Sequence, residues 1–130
     1  MKRFCFFAII ALIFASCHEN IEQRASREAK DYTERFCPTP VVNNTRTDSV
    51  AYDHERRGFI YYCSFLNDYD NEATINAARQ GLHDALKETL SGNPELKTYI
   101  DEGFSCTYVV RSASNPDKTL YQDTISFGTD

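Results

Sequence analysis

The chain has no tryptophan, no glycine-rich loop, no CxxC-type pair of Cys or His and no surplus of positive charge. Each absence removes a class of function. Zinc sites hold their ion through Cys and His in close pairs such as CxxC. Here Cys37, Cys63, Cys106, His18, His54 and His83 stand singly, so neither a metal site nor a cofactor is expected. Without the glycine-rich turn that cradles phosphates, nucleotide-binding readings fall away too. Asp68, Asp70 and Glu72 open like a calcium loop. Position six of that loop is Ala73 and position twelve is Arg79, where glycine and a bidentate glutamate are needed. The three acids therefore read as turn and helix-capping residues. Lys and Arg number 14 against 19 Asp and Glu, a net charge of −5. Nucleic acid, which calls for a basic face, is not an expected partner. Nor is there a low-complexity segment or a linker that would divide the chain.

Long apolar runs are scarce as well; the one present is Phe4–Phe14, preceded by Lys2 and Arg3 and followed by Ala15-Ser16-Cys17. As a helix, eleven residues reach about 16 Å. A bilayer core is about 30 Å thick and takes roughly 20 apolar residues to cross. Positive charge, a short apolar run and small residues make a secretory signal rather than a membrane span. Phe14-Ala15-Ser16-Cys17 resembles the lipobox of bacterial lipoproteins, departing from the commonest pattern at Phe14, where leucine is usual. The resemblance covers residues 1–17. It implies cleavage between Ser16 and Cys17, diacylglycerol on the Cys17 sulfur and acylation of its amine, commonly with palmitate. It also implies a place in the bacterial cell envelope, on the periplasmic side or the cell surface, with the membrane as a partner through the lipid. Each buried methylene contributes about 0.8 kcal/mol, so two or three acyl chains hold a domain there essentially permanently.

The chain thus divides into a signal peptide, 1–16, a lipidated tether, 17–20, and one domain, 21–130. Cleavage leaves 114 residues, enough for one core. It removes two cations and no acid, moving the net charge from −5 to −7. Five Phe and all eight Tyr remain to build that core.

Ile21, Ala25, Ala29, Tyr32 and Phe36 recur every three or four residues, which predicts a helix over about 21–36 that Pro38 and Pro40 stop. Alternation predicts a strand over 47–53, a turn at His54–Gly58 and a second strand, apolar on both faces, over 59–66. Asp70 or Asn71 then caps a second helix, with the stripe Ile75, Ala78, Leu82, Ala85 or Leu86, and Leu90, ending near Gly92. A short helix over 94–101 and strands over 104–111 and 119–127 complete the chain. This order of helix, hairpin, helix, hairpin predicts an α+β fold: a four-stranded, mainly antiparallel sheet with the helices packed on one face. The two halves share too few identities to indicate an internal duplication.

Beside the lipidated Cys17, the mature chain keeps Cys37, Cys63 and Cys106, so at most one intramolecular disulfide can form among them; all three unpaired and one bridge are both compatible with the sequence. Strand alternation sends Val50, Tyr52, Tyr61, Cys63, Phe65, Cys106 and Tyr108 to the core. On the opposite face it leaves Ser49, Ile60, Tyr62, Ser64, Thr107, Val109, Gln122 and Thr124. Within that mostly hydroxyl-bearing set, Ile60, Tyr62 and Val109 form an apolar interruption and are the candidate binding residues. Arg56-Arg57, the most basic local feature, reads as a solubilised turn. The function expected is that of a non-enzymatic, membrane-anchored envelope lipoprotein, binding a protein or an envelope component through a sheet face or loops. A small enzyme with a cysteine nucleophile and a purely structural spacer are the alternatives. The anchor has a direct test. Cys17→Ser is expected to abolish incorporation of radiolabelled palmitate and to leave the signal segment uncut; unchanged labelling would rule the anchor out.

Overall fold

The computed structural model describes residues 19–127; the signal segment and Cys17 lie outside them. Helix α1 spans Ile21–Phe36. Its start is set by a reciprocal capping box, in which the Asn20 side chain accepts from the Gln23 amide while the Gln23 side chain accepts from the Asn20 amide. Ala25 and Ala29 are its two buried residues, and their small size lets the helix backbone approach the sheet. Longer reaches fix its orientation: Glu22 accepts from the Tyr52 hydroxyl at 2.6 Å, and Glu28 from the Tyr99 hydroxyl.

Strand β1 is Thr45–Asp53 and β2 is Gly58–Phe65, an antiparallel pair. β1 begins two residues earlier than alternation indicates, because Asn43 and Asn44 form a tight turn with φ of 53° and 58°. Asparagine tolerates this left-handed conformation, and the turn folds Val42 back onto Thr45. The outer edge of β1 is occupied at two residues. The Thr33 hydroxyl accepts from the Val50 amide and donates to its carbonyl, each at 2.9 Å, while the Thr39 hydroxyl accepts from the Thr47 amide and the Thr39 backbone amide donates to the Thr47 carbonyl, also at 2.9 Å. An edge so occupied cannot template another strand.

After one 3₁₀ turn at Asn67–Tyr69 comes helix α2, Glu72–Ser91, capped by Asn71, whose side chain accepts from the Thr74 amide at 3.0 Å. Asp70, the other candidate cap, is used elsewhere: it accepts from the hydroxyls of Ser112 and Ser114 and so ties this turn to the loop between the last two strands. Helix α3 is Lys97–Asp101, shorter than the predicted 94–101 because residues 94–96 form a turn. Strand β3 is Ser105–Ser112 and β4 is Thr119–Ile125.

The strands lie in the order β1-β2-β3-β4. The sheet is mixed: both outer pairs are antiparallel, but β2 and β3 run parallel. The expected, mainly antiparallel sheet is corrected at this central pair. Its cause is connectivity, since α2 and α3 carry the chain from the end of β2 back to its start and β3 must then run the same way. At Gly58 the backbones are too close for a side chain: a Cβ there would stand 2.4 Å from the Ser105 carbonyl oxygen.

All helices pack on the sheet face that presents Val50, Phe59, Cys63, Phe65, Cys106, Val110, Tyr121 and Ile125. α1 lies along β1 and α2 along β4. Tyr61 and Tyr108, read from sequence as core, are only half-buried, whereas Phe59, Cys63, Cys106 and Val110 on the same two strands are enclosed. The two tyrosines stack at 4.8 Å with planes 12° apart, and they link the two halves of the core. Leu82 is likewise half-buried, whereas Ile75 and Leu90 of the same stripe are fully enclosed.

Two substitutions test this packing by urea denaturation. Leu90→Ala is expected to cost about 2–5 kcal/mol through lost transfer energy and the cavity left behind. Gly58→Ala, which forces the β2–β3 backbones apart, is expected to cost about 1–3 kcal/mol. A loss within experimental error in either variant would contradict the described packing at that position.

Candidate functional site: the open face of the sheet

The face opposite the helices is the place where the candidate residues meet. Register across the four strands puts Ser49, Tyr62, Val109 and Gln122 in one row, and Ala51, Ile60, Thr107 and Thr124 in the next. Ile60, Tyr62 and Val109 are thus neighbours, two residues apart on β2 and paired across to β3. All three are half-exposed, and none belongs to either core cluster.

Two residues expected outside are in fact buried. Thr107 is 1% exposed, flanked by the side chains of the central rows, and its hydroxyl lies 3.0 Å from that of Thr124. Ser64 is buried in a polar cluster that borders the face: its hydroxyl donates to Asp48 at 2.5 Å and accepts from Arg46 at 3.1 Å, while Arg46 donates to Asp48 at 2.6 Å. A bulge between Thr47 and Ser49 brings Asp48 into this cluster. Arg111, the partner of Ser64 on β3, is exposed and donates to the Pro116 carbonyl at 3.3 Å. The site therefore has an apolar centre, hydroxyl and amide groups on both flanks, and a border of two guanidiniums with one carboxylate. Such a surface can take apolar side chains at its middle and accept or donate hydrogen bonds around them. Sequence alternation located the apolar centre. The Arg46–Asp48–Ser64 border was not legible there, because it depends on the bulge.

Other groups with chemical potential are engaged structurally. His83 lies 2.7 Å from Asp123, which also accepts from the Tyr121 hydroxyl at 2.6 Å. His54 pairs with Glu22 at 2.8 Å, and His18 lies outside the described residues. Arg57 donates to the Glu102 carbonyl and stacks over Phe104, so the Arg56-Arg57 turn packs as well as solubilises. Among the described residues, no group of three His, Cys, Asp or Glu is placed to hold a metal ion, and no helix is long and apolar enough to cross a membrane.

Cys37, Cys63 and Cys106 are free thiols. Burial raises all three above the ordinary value of 9.0, with Cys63 and Cys106 pushed up to about 11. The nucleophile in cysteine catalysis is the thiolate, which such surroundings suppress at neutral pH. Iodoacetamide at pH 8 is accordingly expected to modify Cys37 slowly and to spare Cys63 and Cys106 until urea unfolds the domain, as read by mass spectrometry. The sign of the pH effect follows. Raised folded-state values favour the native state below pH 9, and this contribution is lost as pH rises from about 9 to about 11. Rapid native alkylation at Cys63 or Cys106 would revive the nucleophile reading.

Comparison with known proteins follows the same fold. A crystal structure of a candidate secreted protein from Pseudomonas aeruginosa is similar with a TM-score of 0.63 at 8% identity, over 82% of this chain and 94% of that one. The pilotin EpsS of the Vibrio vulnificus type 2 secretion system is similar with a TM-score of 0.62 at 12% identity, over 82% of this chain and 87% of that one. At such identities the likeness is one of fold. No curated protein matches the chain. Residues 20–121, nearly the whole described domain, match the family model described as Domain of unknown function (DUF8479), and the chain belongs to that family.

Proposed function

We propose that this chain is an exported, lipid-anchored protein of the bacterial envelope, non-enzymatic, that binds a protein partner through the open face of its sheet. The observation that carries the reading is the adjacency of Ile60, Tyr62 and Val109 on the face opposite the helices, each partly exposed and outside both core clusters. Apolar area rimmed by polar groups marks interaction surfaces. Tyrosine at its centre offers large contact area with few rotors and a polar tip. Suppressed thiols weigh against the cysteine-nucleophile alternative. The shared fold with a pilotin, a component of a secretion system, fits an envelope adaptor.

Size narrows the partner. Strands about 4.8 Å apart and about six residues at about 3.3 Å make a face of roughly 300–400 Å². A standard interface takes about 800 Å² from each side. A partner that binds stably must therefore continue over the border, where Arg46 and Arg111 meet acidic or carbonyl groups. Tyr62→Ala tests the reading. Stability should change by no more than about 0.5 kcal/mol, as for surface substitutions, while a partner that co-purifies with the wild-type chain is lost. Destabilisation of about 3 kcal/mol or more, as for buried aromatics, would show Tyr62 to be packing and retire the binding face.

A further inference from the structure

The elements of the domain end at two poles. At the first, the start of α1, the β1–β2 turn, the segment after α3 and the end of β4 converge. Glu22 lies 2.8 Å from His54, the Ser105 amide donates to the Arg57 carbonyl at 3.2 Å, and Cys106 faces Ile125. At the second, the end of α1, the Asn43–Asn44 turn, residues 66–71 and the 113–118 loop converge. There the Leu66 amide donates to the Asn44 carbonyl at 2.8 Å, Asp70 holds Ser112 and Ser114, and Lys118 pairs with Glu72. The large apolar side chains that stay exposed gather toward the second pole: Tyr32 and Phe36 on the last turns of α1, Val41 and Val42, and Tyr69. Phe36 is 57% exposed and Val42 65%.

The tether joins the first pole, and little of it is free. Asn20 is held in the capping box, and Glu19 is fixed to α1 by two bonds from Arg27, both 2.9 Å. Only His18 separates Glu19 from Cys17, a reach of about 7 Å at full extension. The 16 residues of α1 rise about 24 Å, more than three times that reach.

We propose that the domain stands on its first pole, with the His54–Arg57 turn against the lipid head groups and the apolar second pole directed away from the bilayer. The pose rests on the lipidation of Cys17 proposed above. A tether this short lets Phe36 or Val42 reach lipid only if the domain lies flat along α1. The outward flank of α1 carries Arg27, Lys30, Asp31, Glu34 and Arg35, all exposed, and a domain resting on it would still hold Phe36 off the lipid, because Phe36 shares the sheet-facing side with Ala29 seven residues earlier. An acidic body, at −7 after removal of residues 1–16, is also repelled by anionic head groups. Arg56 and Arg57, each beside a carboxylate, are the cations that the standing pose brings nearest the lipid.

The test uses the processed, lipidated chain with Cys37→Ser, so that Cys63 and Cys106 remain buried and unlabelled. A single fluorophore is placed through Glu55→Cys or Val42→Cys. Each protein is reconstituted into vesicles of phosphatidylethanolamine and phosphatidylglycerol that contain a head-group nitroxide quencher, then floated on a gradient. The label at 55 is expected to lose most of its fluorescence and the label at 42 to keep it. In floated vesicles, quenching at 42 equal to or greater than at 55 overturns the pose, and so does a bright label at both positions. A chain that fails to float overturns the lipid anchor itself, and the pose with it.

Discussion

The parallel pairing of β2 with β3 is the constraint on which the rest of this structure depends. Two parallel neighbours cannot be joined by a tight turn, so the 39 residues between Phe65 and Ser105 must cross back over the sheet. That crossing places α2 over one face, where Ile75 and Leu90 close against Cys63, Val110, Phe104 and Ile125. α1 uses the same face because its buried residues are alanines and fit closely over Val50 and Phe59. With both helices on one side, the other side of the sheet carries no helix. The candidate site is thus a by-product of connectivity, and its residues are whatever alternation turns outward there.

The core on the helix-covered face has two parts, and Tyr61 stacked on Tyr108 packs against both. Their hydroxyls are held above the usual tyrosine range by burial, so the junction is made by neutral aromatic surface rather than by charge. Polar stitches then bind the layers at their margins. Tyr52 and Tyr99 reach carboxylates of α1, Thr33 occupies the β1 edge at Val50, and Arg79 reaches from α2 to the Leu120 carbonyl on β4. Each satisfies a polar group that burial would otherwise penalise by about 1–3 kcal/mol.

Function at this scale comes from asymmetry. The domain has a helix-covered face and an opposite face with Ile60, Tyr62 and Val109 partly exposed, and one pole where Phe36, Val41 and Val42 stand in water. With Cys17 lipidated as proposed, the fixing of Glu19 and Asn20 to α1 would couple the anchor to the body of the domain, and both surfaces would inherit an orientation from the membrane.

Much of this was set by sequence alone. The period of Ile21, Ala25, Ala29, Tyr32 and Phe36 placed α1 at its observed limits, because a helix start followed by prolines is a local matter. Alternation likewise put Ile60, Tyr62 and Val109 on one face, since a strand has only two sides. Tertiary structure decided what local patterns cannot encode. Strand direction depends on where a crossover lands, so β2–β3 pairing was not readable from either strand. Burial of Thr107 and Ser64 depends on neighbours three strands wide and on the bulge that delivers Asp48. Half-exposure of Tyr61 and Tyr108, beside enclosed neighbours on the same strand faces, depends on which helix residues come to lie over each position, which no alternation within a strand records.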